Sequence, residues 1–291
     1  MLKNKGSAKI SKMMLSVIIL NYKNVNLTSK CVSYVLNATK DADIKTQVII
    51  VDNSAQETAD KLKTLIPDAH IIENSENNGF SKANNQGILA SEGEFILLLN
   101  NDAFINSKCL VTGIDYIKNN NNKCGVWAPK LVGEDGSFQV SCAKLPSIKG
   151  LVQEYILLND NNSYPDLNKW KEPHNVGNVI GAFMLMEKKK IEEVGLLDED
   201  YFFTVEDVDY CKRIHEAGYS VIYDPRCGIV HIGSASQEDK WINDPYMHKF
   251  RILYFRKNHG VFMAFLSKII IYMGLNIRKC FFKYSKIRKK E

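Results

Sequence analysis

Four short apolar runs in the first hundred residues, each closing on an amide or carboxylate side chain, limit what this chain can fold into. Leu15–Asn21 and Gln47–Asp52 are rich in β-branched residues and read as buried strands; His70–Glu73 and Glu94–Asn100 read as two more. Between them, Leu27–Leu36 has helical spacing, a helical stretch from about Ala55 to Ile66 stops at Pro67, and Ser81–Ser91 reads as a helix. Continuous apolar strands alternating with helices make an α/β domain with a mostly parallel sheet covered on both faces. In such sheets a ligand sits beyond the carboxyl ends of the strands. The residues at that edge are Asn21 and Tyr22, Asp52 and Asn53, and Asn100, Asn101 and Asp102.

No GxGxxG follows the first strand and no Walker A sequence occurs, which argues against a dinucleotide-binding or P-loop site. Asn119–Asn122 reads as a loop and Gly133–Gly136 as a hairpin turn. Residues 141–175 are irregular, as an acceptor-side insertion would be. Val176–Met186 is strand-like and leads into a helix closed by Gly195; Asp207–Ala217 is helical and stops at Gly218. Tyr219–Tyr223 is another short strand, and two helices follow, at about Pro245–Asn258 and Val261–Ile277.

The chain is 45% hydrophobic and 24% charged, ordinary for a folded protein, and its net charge of +5 is concentrated at one end. Residues 261–291 carry Lys268, Arg278, Lys279, Lys283, Lys286, Arg288, Lys289 and Lys290 against the acid Glu291. The remainder is close to neutral, whereas a nucleic-acid enzyme more often spreads basic residues over its fold, so no nucleic-acid partner is expected. Seven cysteines without a CxxC or Cys/His cluster point to reduced, mostly buried thiols in a cytosolic protein. The basic start, residues 1–13, is expected to be an extension, and Met13–Leu20 is too short for a secretory leader. Val261–Ile277 is at the lower length limit for crossing a bilayer and carries Lys268 in its middle. With the basic tail behind it, the segment suits lying in the interface of an anionic inner leaflet, with a core helix and solvated tail as the alternative.

Three features carry chemistry. Asp102, pinned at the exit of a buried strand, could hold a divalent cation with phosphate oxygens and water as the other ligands, or cap the helix that follows. Glu206, Asp207 and Asp209 stand near a helix start, where they could complement its dipole; Phe202 and Phe203 beside them would lower the local polarity, raise a carboxylate pKa and make a better base. Asn77–Gly87 enters a helix with small and amide side chains, a surface for a ribose or diphosphate or an ordinary capped turn. His231 follows an apolar run and is a structural or a ligating histidine.

Together these elements resemble the family 2 glycosyltransferases with the GT-A fold, especially the bacterial rhamnosyltransferase-like members that build surface polysaccharides. The resemblance spans residues 14–260 and rests on Val17–Tyr22, Val51–Ser54, Asn78–Gly87, Leu97–Asp102, Gly181–Met184, Val194–Asp198, Glu206–Arg213 and Ala217–Tyr219, with His231 and Ser234 echoing a late histidine motif. It implies that Tyr22, Asp52, Asn84 and Asn101 hold the donor nucleotide, with Asp52 accepting a hydrogen bond from the base. It implies Asp102 as the metal-binding end of a DxD motif whose first position is Asn100 here, coordinating Mg²⁺ or Mn²⁺ on the donor diphosphate, with His231 assisting. Asp207 is implied as the general base, with Glu206 and Asp209 in support.

The function so implied is inverting transfer of a sugar, dTDP-L-rhamnose being the favoured donor, to a hydroxyl of a saccharide acceptor carried on a polyprenyl diphosphate. A cytoplasmic protein peripheral to the inner face of the cell membrane would do this, with 14–260 as the catalytic unit and 261–291 as the membrane-associating one. A sugar-nucleotide pyrophosphorylase-like transferase would show a glycine-rich basic loop where Asn21–Asn24 stands. A carbohydrate-binding module that has lost catalysis would not need Asp52, Asp102 and Asp207 together.

Overall fold

The computed structural model describes residues 14–55, 58–120, 123–159, 164, 167–233 and 244–288, with side chains described as far as 279. Residues 1–13, Ser234 and part of the Asn119–Asn122 loop therefore lie outside the described residues. β1 (Met14–Asn21) pairs in parallel with β2 (Lys45–Asp52) and β4 (Phe95–Asn100), and β2 pairs with β3 (His70–Glu73). The register sets Asn21 beside Asp52 and Leu20 beside Asn100, so the polar strand ends share one edge.

The period-two alternation of these strands explains why their sequences read as unbroken apolar runs. Val17, Ile19, Val48, Ile50, Leu97 and Leu99 pack on one face with Cys31, Val32 and Val35 of α1 (Val25–Asp41). Ile18, Ile49, Ile96 and Leu98 pack on the other with Ala83 and Ile88 of α3 (Gly79–Leu89). Each fully buried aliphatic side chain contributes about 1.5–3 kcal/mol, and the buried polar side chain Ser16 is accommodated by donating to Gln47 Oε1 at 2.6 Å.

Beyond β4 the sheet is mixed. β11 (Phe183–Glu187) lies antiparallel between β4 and β6 (Cys124–Val132), and β12 (Ser220–His231) runs parallel to β6. The order is β3-β2-β1-β4-β11-β6-β12-β5, with β5 (Ala103–Phe104) antiparallel to the end of β12. β7 (Phe138–Gln139) forms the expected hairpin with β6, and β9 (His174–Asn175) pairs with β12. The expected strand over Val176–Met186 is two: β10 (Asn178–Val179), paired with β8 (Cys142–Ala143), and β11. The strand expected at Tyr219–Tyr223 continues to His231, because a register shift between Asp224 and Gly228 accommodates Pro225.

α2 (Ala59–Leu65) begins four residues later than the spacing suggests. α4 (Ser107–Asn119) is capped by the Asn106 side chain, which accepts from the Cys109 amide at 3.0 Å. α5 (Ile148–Leu151) runs into a π-helical turn, Val152–Ile156. After α6 (Lys188–Val194) and α7 (Glu206–Glu216), α8 (Pro245–Arg288) consists of two helical arms, 245–259 and 261–288, broken at Gly260 where φ is 85°. Both arms help build a third core: Phe250, Tyr254 and Phe255 of the first and Ala264, Ile270 and Ile271 of the second join Leu151, Tyr155, Tyr201 and Val205.

Candidate active site

At the carboxyl edge of β1 and β2, Asn21 and Asp52 are fully buried and bonded to each other. Asn21 Nδ2 donates to Asp52 Oδ1 at 2.9 Å, and its Oδ1 accepts from the Thr28 hydroxyl at 2.7 Å. Asp52 also accepts from the Ser54 amide and, through both oxygens, from the Thr58 hydroxyl. Ser54 and Thr58 thus enclose Asp52, and α2 starts just after Thr58. Tyr22 beside it is 54% exposed, an open ring at the edge of the sheet. Asn84 is buried in α3, its side-chain amide donating to the Phe80 carbonyl at 3.0 Å. Asn101 turns toward α1 and donates to Thr28 Oγ1 at 3.0 Å, whereas Asn100 lines a cavity.

That cavity, of about 360 Å³, brings Glu206, Asp207 and His231 together: they line it with Asn100, Gly181, Phe203, Thr204, Lys144, Met247 and Arg251, whereas Asp102 is not among its lining residues. Asp207 is held by two backbone amides, Gly181 N to Oδ2 and Val208 N to Oδ1, both at 2.8 Å. The first of these bonds falls at the turn between β10 and β11. Burial raises the Asp207 pKa above the ordinary aspartate range, against the lowering effect of those amides. Burial, and then the charge of Asp207, pushes Glu206 well above the usual carboxylate range. Phe202 and Phe203 are not the cause of a dry interior that the sequence suggested, being 42% and 49% exposed. Asp209 does not line the cavity; it pairs with Arg213 at 3.0 Å and bonds Tyr201 and Asn258, tying α7 to the first arm of α8.

A sequence model of glycosyl transferase family 2 matches residues 16–195, more than half of the chain. The chain belongs to this family. Its relatives include the dTDP-rhamnosyl transferase RfbF of Shigella flexneri, 25% identical over 235 residues that cover 77% of this chain and 75% of the relative. Another is the N-acetylglucosaminyl-diphospho-decaprenol L-rhamnosyltransferase of Mycobacterium tuberculosis, 28% identical over 120 residues, 38% of each protein. The mannosyltransferase PcManGT from Pyrobaculum calidifontis, solved with GDP-Man and Mn²⁺, matches with a TM-score of 0.56 at 15% identity over 91% of this chain and 75% of its own. GalNAc-T7, solved with UDP, GalNAc and Mn²⁺, has the same TM-score and identity over 75% of this chain and 44% of its own. These structural likenesses show the GT-A-like fold, and the family makes the chain a glycosyltransferase.

In this transferase Asp102 and His231 are neighbours because β5 pairs with the end of β12, and Ile232 N donates to the Asp102 carbonyl at 2.9 Å. Gln139 on β7 orients the imidazole. Its Nε2 donates to the His231 carbonyl at 2.8 Å, so its Oε1 faces Nδ1 at 3.0 Å, and Nδ1 is assigned the hydrogen. His231 Nε2 then faces Asp102 Oδ1 at 3.3 Å. In the neutral ring these are two acceptors pointed at each other, an arrangement that a proton or a bound cation between them satisfies. The pair therefore fits a divalent cation held by two protein groups, with its other positions left to phosphate oxygens and water. Among the described residues no cluster of three His, Cys, Asp or Glu side chains gathers there or elsewhere.

Several residues that shape this site carry no chemical signature in the sequence. Thr58 and Gln139 act through hydrogen bonds to Asp52 and His231 across 6 and 92 residues of chain. The amide-rich Asn77–Gly87 stretch turns out to brace the loop before α7. Asn85 is bonded in both directions to Leu197 and to Glu199, and Phe80 N donates to the Phe202 carbonyl at 2.6 Å. Gly79 has φ of 76°, and a Cβ there would lie 2.4 Å from the Phe202 carbonyl oxygen. The braced loop arrives at α7 with Thr204 and Val205, both β-branched, at φ of 71°, a strained backbone of the kind found where a site must be held in place.

Proposed function

We propose that this transferase moves a sugar, with inversion, from a nucleoside-diphosphate donor to a hydroxyl of a saccharide carried on a polyprenyl diphosphate at a membrane surface. The observation that carries this reading is that Asp207, raised in pKa and fixed by two amides, opens onto the same cavity as Asn100 and His231. The names of the Shigella and mycobacterial relatives support L-rhamnose from a dTDP donor, and the second supports a lipid diphosphate acceptor.

In the reaction, Asp207 accepts the proton of the acceptor hydroxyl as that oxygen bonds to the anomeric carbon. The bond from that carbon to the diphosphate breaks on the opposite side, and the electron pair leaves with the nucleoside diphosphate. The two amides aim the carboxylate, and its raised basicity suits it to take the proton. Tyr22 offers its ring to the base, Asp52 and Asn84 shape the nucleotide end, and Asp102 and His231 would hold Mg²⁺ or Mn²⁺. When bound, such an ion supplies positive charge against the donor diphosphate.

The membrane reading rests on the second arm of α8. Ala264, Ser267, Ile270 and Ile271 are buried on the body, while Val261, Phe262, Phe265, Ile269, Tyr272 and Met273 are exposed around Lys268. The helix is long and apolar enough to span a bilayer. One buried face and one bare apolar face, with a sequence rich in basic residues beyond it, favour lying in the interface of an anionic inner leaflet, from the cytoplasm. Accordingly we divide the chain into a catalytic unit, 14–260, and a membrane-associating segment, 261–291.

Release of nucleoside diphosphate from a panel of dTDP-, UDP- and GDP-sugars, with Mg²⁺, Mn²⁺ or excess chelator, tests the donor and metal assignments. The expected result is metal-dependent release that is fastest with dTDP-L-rhamnose. Full activity in chelator would remove the metal from the account, and a faster UDP or GDP donor would replace the favoured sugar.

A further inference from the structure

Residues 203–207 form one wall of the cavity, and Asp207 accounts for only part of it. Thr204 and Glu206 are each more than nine-tenths buried, and Thr204 Oγ1 and Glu206 Oε2 have no hydrogen-bond partner. An unpartnered buried polar atom costs about 1–3 kcal/mol, so such atoms persist where something else supplies the partner. Both residues line the cavity beside Asp207. Phe203 lines it too, with 49% of its surface bare. The backbone of this strip is strained at Thr204 and Val205, and the neighbouring Phe202 is clamped on Gly79 and Phe80. A fold that bears strain, two orphaned oxygens and a bare aromatic ring in four consecutive residues is holding them for a ligand.

We propose that Phe203, Thr204 and Glu206 form a subsite for the acceptor's sugar ring, next to the hydroxyl that Asp207 deprotonates. The chemistry matches a pyranose: a patch of C–H groups on one face for the phenylalanine ring, and hydroxyls at its rim for Thr204 and Glu206. The subsite rests on the transferase reading given above. The two adjacent carboxyls take different parts in it. Glu206, pushed upward by burial and by the charge beside it, keeps its proton and donates to a sugar oxygen, while Asp207 takes the proton of the attacking hydroxyl. Neighbouring acids are thereby divided into a binding group and a base.

Substitutions in the full chain test this, with dTDP-L-rhamnose as donor and octyl glycosides of glucose, galactose, N-acetylglucosamine and rhamnose as acceptor probes. Thr204→Val keeps the branched shape and its backbone demand but removes the orphan oxygen. It should raise KM for the glycoside about tenfold, with kcat falling less than about threefold, and its Tm should equal or exceed that of the wild type. Glu206→Leu should raise the same KM, and Glu206→Gln, which keeps a donor, should recover most of that loss. Phe203→Ala should raise it as well, and Phe203→Tyr should restore it. An unchanged KM in Thr204→Val, or a Glu206→Gln variant as slow as Asp207→Asn, overturns the subsite. If no glycoside stimulates nucleoside diphosphate release in the wild type, the ring alone does not make an acceptor, and the donor reading stands or falls on the donor panel above. The Tm arm then decides the subsite: a Thr204→Val protein less stable than the wild type shows the hydroxyl to be structural and sinks the proposal.

Discussion

A buried carboxyl leaves a thermodynamic trace that a single substitution can read. Glu206 has a raised pKa in the folded protein, so the native state binds its proton more tightly than the unfolded chain does. Stability therefore falls as pH climbs above the unfolded value of about 4.3, until the folded pKa has been passed. Glu206→Gln removes that loss. Thermal denaturation should show the variant gaining on the wild type as pH rises from 4 to 8, with no such gain at pH 4. A gap that stays constant with pH would mean Glu206 is not perturbed by burial. At this scale the sequence exposes acids and histidines well, since Asp102, Asp207 and His231 stand out by type and by position after apolar runs. It does not expose their environment. Nothing local tells that Asn101 faces Thr28 while Asn100 faces the cavity, because that choice is made by the turn that follows β4. Nor does it tell that Asp52 is enclosed by Thr58, or that the two phenylalanines are open to solvent.

α3 shows how an element can look like a ligand surface and serve as a brace. Its amides are spent inside the protein, with Asn85 bonded to Leu197 and Glu199, so Asn85→Ala should cost about 1–3 kcal/mol. Transfer by this variant should fall through loosening of the 197–205 loop. Urea denaturation and steady-state kinetics on the same preparation check both effects, and unchanged stability would contradict the bracing role. β1, β2 and β4 are legible because both faces of each are covered, which writes an apolar run into the sequence, whereas the edge strand β3 offers only the partly buried Ile71 and Ile72. β6 carries no such signal although Val126, Trp127 and Ala128 are buried, since Pro129 and Lys130 break its run. β12 looked short for the same reason, with Asp224, Pro225 and Arg226 inside it; Asp224 is buried and satisfied by Trp127 Nε1 and by Arg226, a cross-sheet arrangement with no local signature. The break in α8 at Gly260 was visible, because a glycine in the left-handed region ends a helix wherever it stands.

For the whole molecule, α8 joins catalysis to the proposed membrane surface, because its first arm places Met247 and Arg251 on the cavity and its second arm presents the bare apolar face. The second arm also supplies Ile270 and Ile271 to the third core, so truncation before Val261 would damage the fold along with any membrane contact. Phe262→Ser combined with Phe265→Ser, at side chains 73% and 61% exposed, removes apolar surface without touching that core. This pair should weaken co-sedimentation with anionic vesicles and leave Tm close to the wild type. High salt should weaken binding of the intact protein, since each basic residue near an anionic surface contributes about 1 kcal/mol at physiological salt and less as screening increases. Equal binding to neutral and anionic vesicles would remove the electrostatic part, and no binding to either would remove the membrane role. The central claim is that Asp207 is the base of an inverting sugar transfer, and Asp207→Asn tests it most directly, because the amide keeps the shape and loses the basicity. Turnover with the best donor and acceptor should fall by about 10²–10⁴-fold while donor binding, measured by calorimetry, is little changed. Turnover near that of the wild type would contradict the account and place the base elsewhere in the cavity.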